Sequence, residues 1–210
     1  QIVRDASLAK SDYHVHRAVT DEILEGIEKG TNVTLITGEI CDGKSVVVEE
    51  VCVRLSVSRP VYVMHRLYDT IVQETNQLIG TYSDAVFVIE NCFDLSSHRL
   101  ENLLRVFEGS SASLVLTSRS ISARADFSGS ERLREVKSLQ HFRLPQLNDA
   151  EIEELVRLSD QIGGWIEFPK TQQEKIRFVQ ERCGRNLPAF LLELLQSKFV
   201  RDRYAEEYRK

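Results

Sequence analysis

The stretch VTLITGEICDGKS, residues 33–45, decides the fold. Val33-Thr34-Leu35-Ile36 is a short apolar, β-branched run bounded by turn residues, which predicts a buried strand over Val33–Thr37. Gly38 follows, then four residues, then Gly43-Lys44-Ser45. The next segment, Ser45–Val57, has the apolar spacing of a helix, and Arg59-Pro60 ends it. Strand, GxxxxGKS, helix is the context in which this pattern predicts a phosphate cradle. Gly38 and Gly43 permit a tight turn whose amides converge. The helix start adds partial positive charge where an anion would lie. Glu39, Ile40, Cys41 and Asp42 line the loop and Val46 follows it. Lys44 is expected to reach the β- and γ-phosphates, and the Ser45 hydroxyl to ligate Mg²⁺. Asp42 would repel a triphosphate and is expected to face solvent.

Outward from the loop, helical and strand patterns alternate. Ala18–Lys29 is predicted helical, with Val19, Ile23, Leu24 and Ile27 on one face and Gly30 as the stop. Pro60–Met64 reads as a strand, Tyr68–Tyr82 as a helix, Ala85–Ile89 as a strand and Leu95–Glu108 as a helix. Strands at Ser113–Thr117 and His141–Leu144 complete a set of five. This alternation predicts an α/β fold: a three-layer, mainly parallel five-stranded sheet covered on both faces. After Pro145 the pattern becomes helical: Asn148 caps a helix beginning at Asp149, and further helices are expected near 171–182 and 187–207. The expected division is an α/β domain over 1–147 and a small helical lid over 148–210.

Two further strand ends carry chemistry. Hydrolysis at a phosphate loop calls for an acid on a neighbouring strand to hold the metal, and a group to activate water. AVFVIEN, residues 85–91, offers Glu90. Four apolar residues precede it, which favours Glu90 as the metal-holding acid with Asn91 in the place of the base. One register earlier, Glu90 would itself be the base. Asn91 orients a water but takes no proton. SLVLTSRS, residues 113–120, puts Thr117, Ser118 and Arg119 just beyond a strand, in the crevice where such sheets bind ligands. Arg119 is positioned to report a γ-phosphate.

Bulk properties restrict the partners. The 210 residues are 42% hydrophobic and 28% charged, with a net charge of −5. That charge speaks against a general nucleic-acid binder, whose domains carry a basic stripe; the stretch around Arg119, Arg124, Arg132 and Arg134 is the only support for a DNA-acting reading. No apolar run approaches the roughly 20 residues of a membrane helix, and the polar start QIVRDASLAKSD is not a secretory signal. The chain begins with Gln1 and its one Met is Met64, as expected of a piece of a longer protein. Four cysteines without metal-ligand spacing predict no zinc site and a reducing, cytoplasmic setting, three of them as small buried hydrophobes.

Together these segments resemble the STAND class of signal-transducing NTPases, relatives of the AAA+ ATPases, from about residue 12 to residue 200. VHRAVTDEIL, residues 15–24, is similar to the class's hGREREhxxL segment, with His16 in place of Gly and Ala18 in place of Glu but Arg17 retained. GEICDGKS resembles Walker A, VFVIEN a Walker B strand without the usual two acids, and LVLTSRS the fourth-strand motif. FRLPQLNDAEIEELV resembles the bridge into the lid, and CGRNLPAFLLELL the GxP motif. The resemblance implies that Arg17 lies near adenine, that Arg119 senses the γ-phosphate and that Pro188 sits against the base. A Pro in the first turn of a helix also explains Pro188 by itself.

What the resemblance implies is an ATP/ADP switch with Mg²⁺. ADP holds it closed, ATP opens it, and a homo-oligomer then activates a fused effector outside these residues, under the control of a sensor also outside them. Slow ATP hydrolysis suits such a switch, and by analogy the setting is immune or antiphage signalling. Two other readings stand beside it: a non-catalytic nucleotide-binding scaffold, and a DNA-acting AAA+-like ATPase. No NKxD motif is present, which leans toward ATP.

Overall fold

A computed structural model describes residues 14–64, 68–92, 95–120, 139–161, 165 and 171–196. They form two compact units. One contains residues 18–40 and 44–144; the other contains residues up to 17, 41–43 and from 145 onward.

The first unit is built on five parallel strands: β1 (Val33–Gly38), β2 (Val61–Val63), β3 (Val86–Ile89), β4 (Ser113–Arg119) and β5 (Leu139–Arg143). Their order is β2-β3-β4-β1-β5. The central strands are buried along nearly their whole length, whereas the edges β2 and β5 are only partly so. Parallel strands need crossover connections, and the helices that make them cover both faces. Because side chains alternate, Leu35, Phe87, Ile89, Leu114 and Leu116 point to one face. There they pack with Leu100, Leu103, Leu104 and Phe107 of α4 (Ser97–Phe107) and with Val72, Leu78 and Ile79 of α3 (Ile71–Thr81). Ile36, Val86, Val88 and Val115 point to the other face. That face meets Val19, Ile23, Leu24 and Ile27 of α1 (Ala18–Glu28) and Val47, Val48, Val51 and Leu55 of α2 (Lys44–Leu55). Phe87 stacks on Tyr62 with centroids 5.3 Å apart and meets Phe107 edge-on at 5.5 Å.

Each strand differs from its expected bounds by one or two residues at an end, most at β4 and β5. β4 continues through Arg119 because its pairing with β1 runs on to the Gly38–Arg119 register. β5 starts at Leu139, since Leu139 and Gln140 pair with Val33 and Thr34.

The second unit holds α5 (Asp149–Gln161), α6 (Gln172–Arg177), a wider π-type turn at Phe178–Arg182, and α7 (Leu187–Gln196). Asn148 and Glu151 form a capping box at the start of α5: each backbone N–H is bonded by the other's side chain, at 3.0 and 2.9 Å. Leu147, Ile152, Val156, Trp165, Val179 and Phe190 form the core of this unit. The part of the last predicted helix beyond residue 196, and Arg124, Arg132 and Arg134, lie outside the described residues.

Candidate functional site

The strand order makes a crevice. β1 leaves toward β2 on one side of the sheet, and β4, its neighbour, leaves toward β5 on the other. Ligands of open α/β sheets bind where the connections diverge in this way, at the carboxyl ends of the strands. The segment 38–45 leaves β1 at that point, and Arg119 pairs with Gly38 across it.

Of the two glycines expected to turn the loop, Gly43 does so, whereas Gly38 is the last residue of β1. Cys41 and Gly43 are left-handed, at φ +66° and +87°, and α2 starts at Lys44. Glycine accepts such a φ at no steric cost, whereas Cys41 adopts it against preference. The Lys44 ammonium donates to the carbonyls of Gly38 at 2.9 Å and Glu39 at 2.5 Å. Glu39, Ile40 and Cys41 are exposed, as are Ser45 and Val46, and Asp42 is half-buried.

Beside the loop, the Ser45 hydroxyl donates to Glu90 Oε2 at 2.8 Å. Glu90 directly follows β3, and Asn91 comes next in the left-handed region at φ +53°. The Asn91 N–H donates to Thr117 Oγ1 at 3.0 Å. Thr117 is buried, and its hydroxyl therefore fixes the turn that presents Glu90 and Asn91. Arg119 is exposed at the end of β4. Thr37, the residue before Gly38, shares a 2.8 Å hydrogen bond with His141 Nε2. Burial and then Arg143 hold the His141 imidazole below its usual range.

The structure brings Gly38, Lys44, Ser45, Glu90, Asn91 and Arg119 to the ends of three neighbouring strands, within the first unit. Arg17 and Pro188 belong to the second unit, together with the loop tip Cys41–Gly43. Arg17 is buried; its Nη1 donates to the Asp42 carbonyl at 3.1 Å and its Nη2 to the Pro145 carbonyl at 2.6 Å. Pro188 stands in the first turn of α7, where Asn186 Oδ1 accepts the Ala189 N–H at 2.9 Å. Sequence reasoning did not reach Glu151, whose Oε2 lies 3.3 Å from Arg17 Nε. The only nearby signal in the sequence was Asn148 as the cap of the helix that begins at Asp149. Among the cysteines, Cys92 and Cys183 are buried, Cys52 is half-buried and Cys41 is exposed. Burial, Glu90 and Glu49 push the Cys52 thiol up to about 12.

The donors suit a small hard cation. A hydroxyl and a carboxylate 2.8 Å apart are the hard oxygen ligands Mg²⁺ takes when a substrate's phosphates complete its sphere. Among the described residues no group of three or more His, Cys, Asp or Glu side chains forms a metal cage.

An all-parallel α/β sheet with GxxxxGKS at its point of divergence defines a P-loop NTPase. Residues 5–126 match the family described as Novel STAND NTPase 5, more than half of the 210 residues, and the chain belongs to that family. No curated protein matches the sequence. Among solved structures, the chain is similar to a STAND protein with a tetratricopeptide repeat sensor, PH0952 from Pyrococcus horikoshii. That match has 14% identity and a TM-score of 0.53, covering 89% of this chain and 30% of that one. C. elegans PCH-2 is similar at 15% identity and TM-score 0.52, over 86% of this chain and 62% of that one. The replication initiator DnaA, bound to AMPPCP and single-stranded DNA, is similar at 11% identity and TM-score 0.55, over 92% of this chain and 67% of that one. At such identities the likeness is one of fold. The chain spans less than two thirds of PCH-2 and under a third of PH0952. It is a nucleotide-binding NTPase module of the STAND class. No helix among the described residues is long and apolar enough to cross a membrane.

Proposed function

We propose that the chain is the ATP/ADP-binding switch module of a larger regulatory NTPase, one that retains ATP and hydrolyses it slowly. The observation that carries this is the Ser45–Glu90 hydrogen bond with Asn91 next in the chain. The bond commits the Glu90 carboxylate to the loop serine, the place of a metal-holding acid. The following position, where a base would stand, has an amide.

On this reading the amides of 38–45 and the Lys44 ammonium bind the β- and γ-phosphates. Ser45 and Glu90 hold Mg²⁺, which when bound neutralises charge on the phosphate oxygens. Arg119, at the end of β4 beside Gly38, contacts the γ-phosphate and so distinguishes ATP from ADP. Asn91, fixed by Thr117, orients the attacking water without taking its proton. A slow clock of this kind lets two conformations be biased by one phosphate for a long time. Oligomerisation of the ATP form, a fused effector and a defence role belong to this proposal through the family.

Single-turnover hydrolysis of bound ATP tests it, with Glu90→Gln as the comparison. Slow turnover in the parent chain, lost in the variant, is expected. Indefinite retention of ATP by both favours the second reading, a non-catalytic scaffold, which Asn91 also supports.

A further inference from the structure

Arg17 is 4% exposed, and so is Glu151, the carboxylate that faces it. Burying a guanidinium is costly unless it is paired and its donors are used. Its donors reach two backbone carbonyls, Asp42 in the loop tip and Pro145 just before the helical segment. Arg17 Nε lies 3.3 Å from Glu151 Oε2 but is not aligned for a hydrogen bond, so that contact is an ion pair. Glu151 is in turn fixed by the Asn148 capping box. The rigid fork of an arginine thus has one fixed anchor and two fixed carbonyls.

The Asp42 carbonyl and the Gly43 N–H belong to one planar trans peptide, in which they point in opposite directions. Drawing the carbonyl toward Arg17 turns the Gly43 N–H away from it. The peptide joins Asp42 to left-handed Gly43 and follows Cys41, a non-glycine residue also held left-handed, a conformation that the surrounding contacts must maintain.

We propose that Arg17, braced by Glu151, is a positioning residue of the phosphate loop, holding the Asp42–Gly43 peptide so that the Gly43 N–H faces the bound phosphate. The inference rests on the nucleotide-binding reading above. It differs from a contact between Arg17 and the base: the effect passes through the loop, so it falls on phosphates and is indifferent to the base they carry.

The test measures dissociation constants for ATP, GTP and inorganic tripolyphosphate, below the melting temperature, in the parent chain, Arg17→Lys and Glu151→Gln. A lysine keeps the charge opposite Glu151 but cannot fork to two carbonyls. Both variants are expected to weaken all three probes by one common factor, about tenfold, within the usual span of coupling between sites. Unchanged affinities with a lowered melting temperature would make the pair a structural brace only and overturn the proposal. A loss confined to ATP would place Arg17 on adenine and overturn it as well. If neither variant folds, hydrogen exchange on the parent chain decides: tripolyphosphate should slow the Gly43 and Glu151 amides together, and slowing at Gly43 alone refutes the coupling. A parent chain that binds none of the probes defeats the nucleotide reading itself, a different result from binding that the variants leave intact.

Discussion

Asn91 occupies a position where one atom changes the chemistry. Its backbone is left-handed, a conformation Asn and Asp both tolerate, and its N–H is held by Thr117. Asn91→Asp should therefore keep the turn while adding a proton acceptor. General bases contribute about 10²–10⁴-fold, so even a poorly aligned carboxylate should speed single-turnover hydrolysis at least about tenfold. An unchanged rate would remove Asn91 from the water's side of the phosphate. Arg119 is exposed at the end of β4, beside Gly38. Arg119→Ala should weaken ATP about tenfold or more while leaving ADP nearly unaffected, in paired titrations. Equal losses for both nucleotides would reject the sensor role. The sequence alone left two registers open for Glu90. The Ser45 contact, set by the pairing of β3 with β4 and of β4 with β1, is the observation on which the metal-holding proposal rests, and such pairing has no local sequence signal.

At the scale of elements, the residue pattern found the five strands and the seven α-helices named above, because most of them bury a face or both. Ends were less legible. The helix after the loop stops at Leu55, and Val57 is almost fully exposed, since apolar character without a facing neighbour does not extend a helix. The π-type turn at Phe178–Arg182, with the Cys183 N–H reaching back five residues to the Phe178 carbonyl, is a single turn, too short to leave a periodic mark in the residue pattern. Gly43 shows the loop's dependence on one residue type. A Cβ there would meet Leu187 at an ordinary 3.5 Å, so the cost of Gly43→Ala comes from its φ of +87°. That cost is about 1–2 kcal/mol, so nucleotide affinity should fall about tenfold, and an unchanged titration would show that the loop binds in another conformation. β5 carries a pH dependence. Because the folded chain holds His141 below its usual range, the unfolded chain binds more protons in the window just below pH 6.5. Stability contributed by neutral His141 is present above that window and is lost as pH falls through it. The melting temperature should drop on acidification from pH 7 toward 5, and His141→Gln should flatten the drop.

For the whole molecule, linear order conceals what the fold assembles. A reading along the chain divides it near residue 147, where the alternating pattern ends. Among the described residues, Arg17 and the loop tip 41–43 group with the helical segment, so each compact unit draws on more than one stretch of the chain. Arg17 explains part of this, since its partners lie 25 and 128 residues away, and such separations leave no trace in spacing. The family and the fold were legible because the phosphate loop carries its own sequence pattern and the strands announce themselves. The central claim is that this loop, through Lys44 and Ser45, retains a nucleotide with Mg²⁺. Its most direct test is equilibrium binding of ATP and ADP with and without Mg²⁺, in the parent chain and in Lys44→Ala. The account predicts Mg²⁺-dependent retention of ATP by the parent and loss of about 100-fold or more in a variant that melts at the same temperature. Equal ATP affinity in the two proteins would contradict it.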